Sequence, residues 1–151
     1  MLVHELLTPS TTLCGIEGSS KKRILEKVSE IISEQNPDLD ASCLFNGLHG
    51  REKLGSTGIG GGVAVPHCRL SECTDAKGYL VKLISPIDFD AIDNQPVDLL
   101  FVLVVPEDAC SEHLQTLASI AELFSQEAVR NELREAPDCN ALFNAITRLS
   151  T

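Results

Sequence analysis

The chain has 151 residues, 43% of them hydrophobic and 23% charged. That is enough chain for one domain with its own core, without need of metal or disulfide staples. The longest apolar run, residues 99–106, falls well short of the roughly 18 residues that a membrane-spanning helix needs. A net charge of −10, from 12 basic and 22 acidic residues, repels phosphate backbones and anionic lipid. It speaks against nucleic acid and membrane insertion and for a protein partner with a basic face.

His4, Glu5 and Pro9 break up the N-terminus before a signal-peptide core could form, so a cytoplasmic location is expected. The six cysteines (Cys14, Cys43, Cys68, Cys73, Cys110 and Cys139) contain no C-x-x-C pair. The expectation is reduced thiols acting as small apolar residues, with no metal and no cofactor.

In chain order, Ser19 or Ser20 caps a first helix whose apolar face is Ile24, Leu25, Val28, Ile31 and Ile32, and which ends before Pro37. Asp40 caps a second helix with Cys43, Leu44, Leu48 and Leu54 on its apolar face, closing at Gly55. Residues 55–62 are a turn-rich connection, followed by a short strand at 63–65 and then Pro66 and His67. Residues 77–84 alternate as a strand that Pro86 stops.

Residues 99–105 are apolar without alternation, the pattern of a strand covered on both faces. Ser111 caps a helix with Leu114, Leu117, Ala118, Ala121 and Phe124 as its apolar side; two more helices follow, at 127–135 and from Asp138. Helices and strands in this arrangement predict an α/β three-layer sandwich, a mixed sheet flanked by helices on both faces.

The densest chemical signal is residues 55–67, Gly-Ser-Thr-Gly-Ile-Gly-Gly-Gly-Val-Ala-Val-Pro-His. Glycines let backbone amides approach an anion closely, which makes Ser56, Thr57 and Gly58 candidate phosphate-binding residues. A helix precedes this loop and a strand follows it, the reverse of a dinucleotide fingerprint, and no P-loop triplet is present. His67, held at a strand end behind Pro66, is a candidate phosphoryl acceptor, because neutral imidazole is nucleophilic and its N–P bond is labile. A hydrogen-bonded structural histidine is the alternative.

His113, in the first turn of its helix, could donate to a phosphoryl oxygen or hold the His67 ring. Arg51 offers a guanidinium fork suited to phosphate, or else pairs with Glu52 or another carboxylate. A Cys68 nucleophile and a carboxylate pair drawn from Asp88, Asp90 and Asp93 are weaker readings, because Cys68 points away from His67 along a strand and the acidic residues suit turns.

The segments Arg51-Glu52-Lys53-Leu54-Gly55-Ser56-Thr57-Gly58-Ile59-Gly60 and Ala64-Val65-Pro66-His67 closely resemble the active site of the type-2 enzyme IIA domains of the bacterial phosphotransferase system. Residues 89–101 (Phe-Asp-Ala-Ile-Asp-Asn-Gln-Pro-Val-Asp-Leu-Leu-Phe) are similar to the nitrogen-regulatory branch of that family. The resemblance runs from about residue 5 to about residue 150, as one IIA domain spanning residues 1–151.

It implies a mannitol-IIA-like fold, His67 as the phosphorylated residue, His113 as the second histidine and Arg51 as the phosphate-side arginine. It implies an HPr-like histidine phosphocarrier protein as donor, and regulatory target proteins in potassium or nitrogen homeostasis that read the phosphorylation state. The alternative is a sugar-transport IIA that passes phosphate to a fructose- or mannitol-type IIB. Cys68 and Gly61 depart from the family pattern, and a thiol beside the acceptor raises the question of oxidation.

Overall fold

The structure, a computed structural model, describes residues 3–108 and 111–150, without the side chains of residues 111 and 112. After a short helix α1 (Val3–Leu6) and a 3-10 turn comes strand β1 (Thr12–Ile16), and then helices α2 (Lys21–Gln35) and α3 (Ala41–Leu54). Strands β2 (Gly58–Gly60), β3 (Val63–Ala64), β4 (His67–Leu70), β5 (Lys77–Ile87) and β6 (Val97–Pro106) follow. Helices α4 (Ser111–Phe124), α5 (Glu127–Glu135) and α6 (Cys139–Leu149) complete the chain.

The caps follow side-chain chemistry. Ser20 accepts from Arg23 N at 3.1 Å, Asp40 from Cys43 N at 3.1 Å and Asp138 from Ala141 N at 2.8 Å, each meeting an amide that its helix leaves free.

One mixed sheet runs in the order β1-β5-β6-β3-β2, with β4 also on β6. Strand β6 is its spine, antiparallel to β5 and parallel to β3 and β4. Val63 pairs with Leu99 and His67 with Leu103, so the parallel register continues unchanged across Val65 and Pro66. The unalternating run of β6 separates by parity. Leu100, Val102 and Val104 join the core beneath α2 and α3, whereas Leu99, Phe101, Leu103 and Val105 join that beneath α1, α4, α5 and α6. The sandwich of a mixed sheet between two helical layers is therefore as expected.

Five local expectations are corrected. Leu54 and Cys43 are exposed rather than on the buried side of α3, which buries Leu44 and Leu48 as expected and Glu52 with them. Pro86 does not stop β5. The strand passes through an irregularity between Lys82 and Ile87 in which residues 84–86 are exposed, so the missing N–H of Pro86 costs no ladder bond. Part of the glycine connection is itself a strand, β2.

On α4 the buried face is Thr116, Ile120, Leu123 and Phe124, while Leu114 and Ala118 are exposed. Its cap lies outside the described residues, because Ser111 is already in the helix. Finally, Cys14 and Cys139 are joined as a disulfide, with Cα atoms 5.6 Å apart, as β1 runs beside the start of α6. Cys43, Cys68 and Cys73 are free, and Cys110 lies outside the described residues.

Candidate phosphoryl-transfer site

Helix α3 ends at Gly55, where φ is +154°, and the chain turns into the β2–β3 hairpin beside the segment at 88–95. Gly58 is required there by contact, since a Cβ on it would lie 2.7 Å from Ala91 Cβ. Asp93 clasps the far end of the hairpin by accepting from Gly61 N at 2.9 Å, and Ser56 Oγ donates to Phe89 O at 2.6 Å. From the other side, Arg134 bonds both Asp98 and Gly61 O. The glycine-rich segment is thereby fixed at several points.

His67 is the first residue of β4, partly buried. Its Nδ1 lies 2.8 Å from Val65 O. A carbonyl oxygen only accepts, so Nδ1 carries the proton and Nε2 keeps its lone pair. The ring opens on a cleft of about 360 Å³ walled by Arg51, Arg69, His113 and Cys68 among apolar residues that include Leu54 and Leu114. Two arginines and two histidines therefore meet at one opening in a chain of net charge −10. Burial is the largest influence on His67 and holds its pKa below the usual value. The Val65 bond and the charge of Glu52 act upward, and Arg51 and Arg69 act further downward. The ring is thus kept neutral and nucleophilic.

The predicted site residues separate into two groups. Arg51, His67 and His113 come together around the cleft. Arg51 does not pair with Glu52; its Nη1 donates to Gly55 O at 2.8 Å, at the end of its own helix. His113 is the third residue of α4, and its buried Nδ1 has no hydrogen-bond partner among the described residues. Ser56, Thr57 and Gly58 stay off the cleft wall. The Gly58 amide donates to Ser56 Oγ at 3.0 Å, and both the amide and the hydroxyl of Thr57 go to Glu52.

Cys68 faces the core, and burial pushes its thiol up to about 12. That pKa disfavours the thiolate needed for attack or oxidation. Arg69 at the cleft and Glu52 behind the loop were not singled out from sequence. Arg69 was readable as the exposed neighbour of an inward-pointing Cys68; Glu52 carried no such sign, being a charged residue that turns inward.

A family model described as "Phosphoenolpyruvate-dependent sugar phosphotransferase system, EIIA 2" matches residues 5–149. A nitrogen regulatory protein of Pseudomonas aeruginosa is 46% identical over 144 residues, covering 95% of this chain and 94% of that one. One of Escherichia coli is 44% identical over 146 residues, covering 96% and 89%. The crystal structure of the nitrogen regulatory protein IIA-Ntr from Neisseria meningitidis superposes with a TM-score of 0.88 at 38% identity, covering 96% of this chain and 99% of that one. The chain belongs to the EIIA type-2 family of the phosphotransferase system, in its nitrogen-regulatory branch.

Proposed function

We propose that this protein is a regulatory phosphocarrier: it accepts a phosphoryl group on Nε2 of His67 from an HPr-like histidine phosphocarrier protein, and target proteins read its phosphorylation state. The observation that carries this reading is the His67 ring itself, with Nδ1 committed to Val65 O and the other nitrogen free at a cleft that holds two arginines and a second histidine. In the transfer, the P–N bond to the donor's ring breaks as the bond from phosphorus to Nε2 forms. The lone pair of Nε2 becomes that bond, the pair of the breaking bond returns to the donor's ring nitrogen, and the positive charge left on the His67 ring is stabilised by the Nδ1–H hydrogen bond to the Val65 carbonyl.

Arg51 and His113, which line the same cleft as His67, hold the equatorial phosphoryl oxygens in this reading. Ser56, Thr57 and Gly58, whose polar groups are engaged within the protein, act by holding the loop in shape. Relatives named as nitrogen regulatory proteins favour a regulatory output over sugar uptake. The targets fall in potassium or nitrogen homeostasis, and the work is cytoplasmic, where such a donor operates.

Incubation with enzyme I, the phosphocarrier protein and phosphoenolpyruvate tests the reading. The expected product is an acid-labile, base-stable adduct that is lost in His67→Ala. Undiminished labelling of that variant would overturn it.

A further inference from the structure

Glu52 is a carboxylate with 2% side-chain exposure, one residue along from Arg51. A buried charge persists only where donors surround it, and here there are three. Thr57 N–H donates to Oε1 at 3.1 Å, Thr57 Oγ1 donates to the same oxygen, and Lys21 Nζ reaches Oε2 at 3.1 Å. Lys21 is fixed in turn by Asp90 at 3.2 Å and by the Phe89 ring, 5.0 Å away at its centroid. Thr57 and Lys21, the latter held by Asp90 and Phe89, thus tie three separate segments to a carboxylate that does not reach the cleft.

The contacts continue from Thr57 to the acceptor. Thr57 O accepts from Val65 N at 3.0 Å, and Val65 O receives the Nδ1 proton of His67. Pro66, between Val65 and His67, has a fixed φ and no N–H, and its carbonyl accepts from Leu103 N at 2.9 Å. With Thr57 holding one side of Val65 and Leu103 the other side of Pro66, the direction of the Val65 carbonyl has little freedom. That carbonyl selects the tautomer of His67.

We propose that Glu52 is a positioning residue of the phosphoacceptor: through Thr57 and Val65 it fixes the Nδ1–H tautomer of His67 and so leaves Nε2 as the nucleophile. The tautomer claim stands by itself; its consequence for transfer rests on the phosphocarrier reading above. Lys21 belongs to the same device, because its ion pair with Oε2 holds the carboxylate turned toward Thr57.

The test is the ring tautomer of His67, read from its two 15N shifts by long-range 1H–15N NMR at about pH 7.5, above the ordinary histidine range. Wild type and Thr57→Ser, which keeps the hydroxyl, are expected to show Nδ1–H alone. Glu52→Gln and Thr57→Val, both close in shape to the original residue, are expected to show a mixture in which the Nε2–H form is plainly present. Phosphoryl transfer from the phosphorylated carrier should slow about tenfold to a hundredfold in kcat at little-changed KM, because docking is untouched and the nucleophile is misassigned.

Folded Glu52→Gln and Thr57→Val proteins with the wild-type tautomer would overturn the proposal. So would failure of both to fold, which would give Glu52 to the fold rather than to the ring. A wild-type ring held as Nδ1–H that never accepts phosphate would remove the phosphocarrier reading and leave the positioning claim standing.

Discussion

Val65 O takes the Nδ1 proton of His67 at 2.8 Å, and that bond opposes the effect of burial on the same ring. Burial is the larger influence, so the His67 titration midpoint should fall below the ordinary value of 6.5. Arg69→Gln removes a positive neighbour and should raise the midpoint. Glu52→Gln removes a negative one and should lower it. One-dimensional proton NMR of the ring across about pH 5 to 8 reads all three.

Stability follows with a definite sign. Between the folded and unfolded midpoints the unfolded chain binds more proton, so stability increases as pH rises through that window and is lost as pH falls through it. Urea midpoints of wild type should therefore drop relative to those of His67→Gln as the buffer is taken from about pH 7.5 to about 5.5. A constant difference would show that the ring is not held neutral by the fold.

His113→Ala should slow phosphoryl transfer without abolishing acceptance. His113 lines the cleft together with His67 as a candidate donor to a phosphoryl oxygen, and its buried Nδ1 has no hydrogen-bond partner among the described residues. Loss of one such donor typically costs about a hundredfold in rate. Quench-flow measurement from a phosphorylated carrier should show that drop, with the larger part in onward transfer. An unchanged rate would remove His113 from the site.

Leu54 and Leu114, 85% and 63% exposed, both line the same cleft, one at the end of α3 and the other in the first turns of α4. Large apolar side chains left in water around a reacting group suit a partner's docking face. Leu54→Glu and Leu114→Glu should each raise KM for the donor about tenfold with kcat little altered, while thermal stability stays near wild type because neither side chain is in the core. A change confined to kcat would contradict a docking role.

What could be read in the sequence divides along the physics. Period and parity are local, so β6 and the face of α2 were clear from spacing, and the caps at Ser20 and Asp40 from side-chain type. Arg51, His67 and His113 were singled out as candidates by chemistry and motif, and the fold brings all three to one cleft. What depended on distant partners was not readable. Leu54 continues the apolar period of α3, yet nothing packs over it. Thr57 looks like a phosphate ligand in a glycine loop until Glu52 is seen to take both its donors. Cys14 and Cys139 are 125 residues apart, and only the approach of β1 to α6 brings them together.

That approach has a measurable consequence. Bridging residues 125 apart removes much of the freedom of the unfolded chain. Reduction, or the pair Cys14→Ser and Cys139→Ser, should cost about 2–4 kcal/mol in urea unfolding. The double variant should become insensitive to reductant. The site lies elsewhere in the sheet, so its phosphoryl acceptance should match wild type in native buffer. Equal unfolding midpoints with and without reductant would show that the bridge contributes no stability.

The free thiols among the described residues should report burial. Cys43 is exposed, whereas Cys68 is buried among core residues with its thiol pushed up to about 12, and Cys73 is buried with its thiol raised by the same cause. Alkylation rate depends on access and on thiolate fraction, and both are low at Cys68. Iodoacetamide at about pH 8, near the intrinsic thiol range, followed by peptide mass mapping, should modify Cys43 well before Cys68 or Cys73. Urea should bring the three rates together. Dilute hydrogen peroxide should likewise leave Cys68 intact and phosphoryl acceptance by His67 unchanged, because that thiol is buried among the residues of the α2–α3 core. Early modification of Cys68 in native buffer, with acceptance falling in step, would instead make that thiol an oxidant sensor for the site.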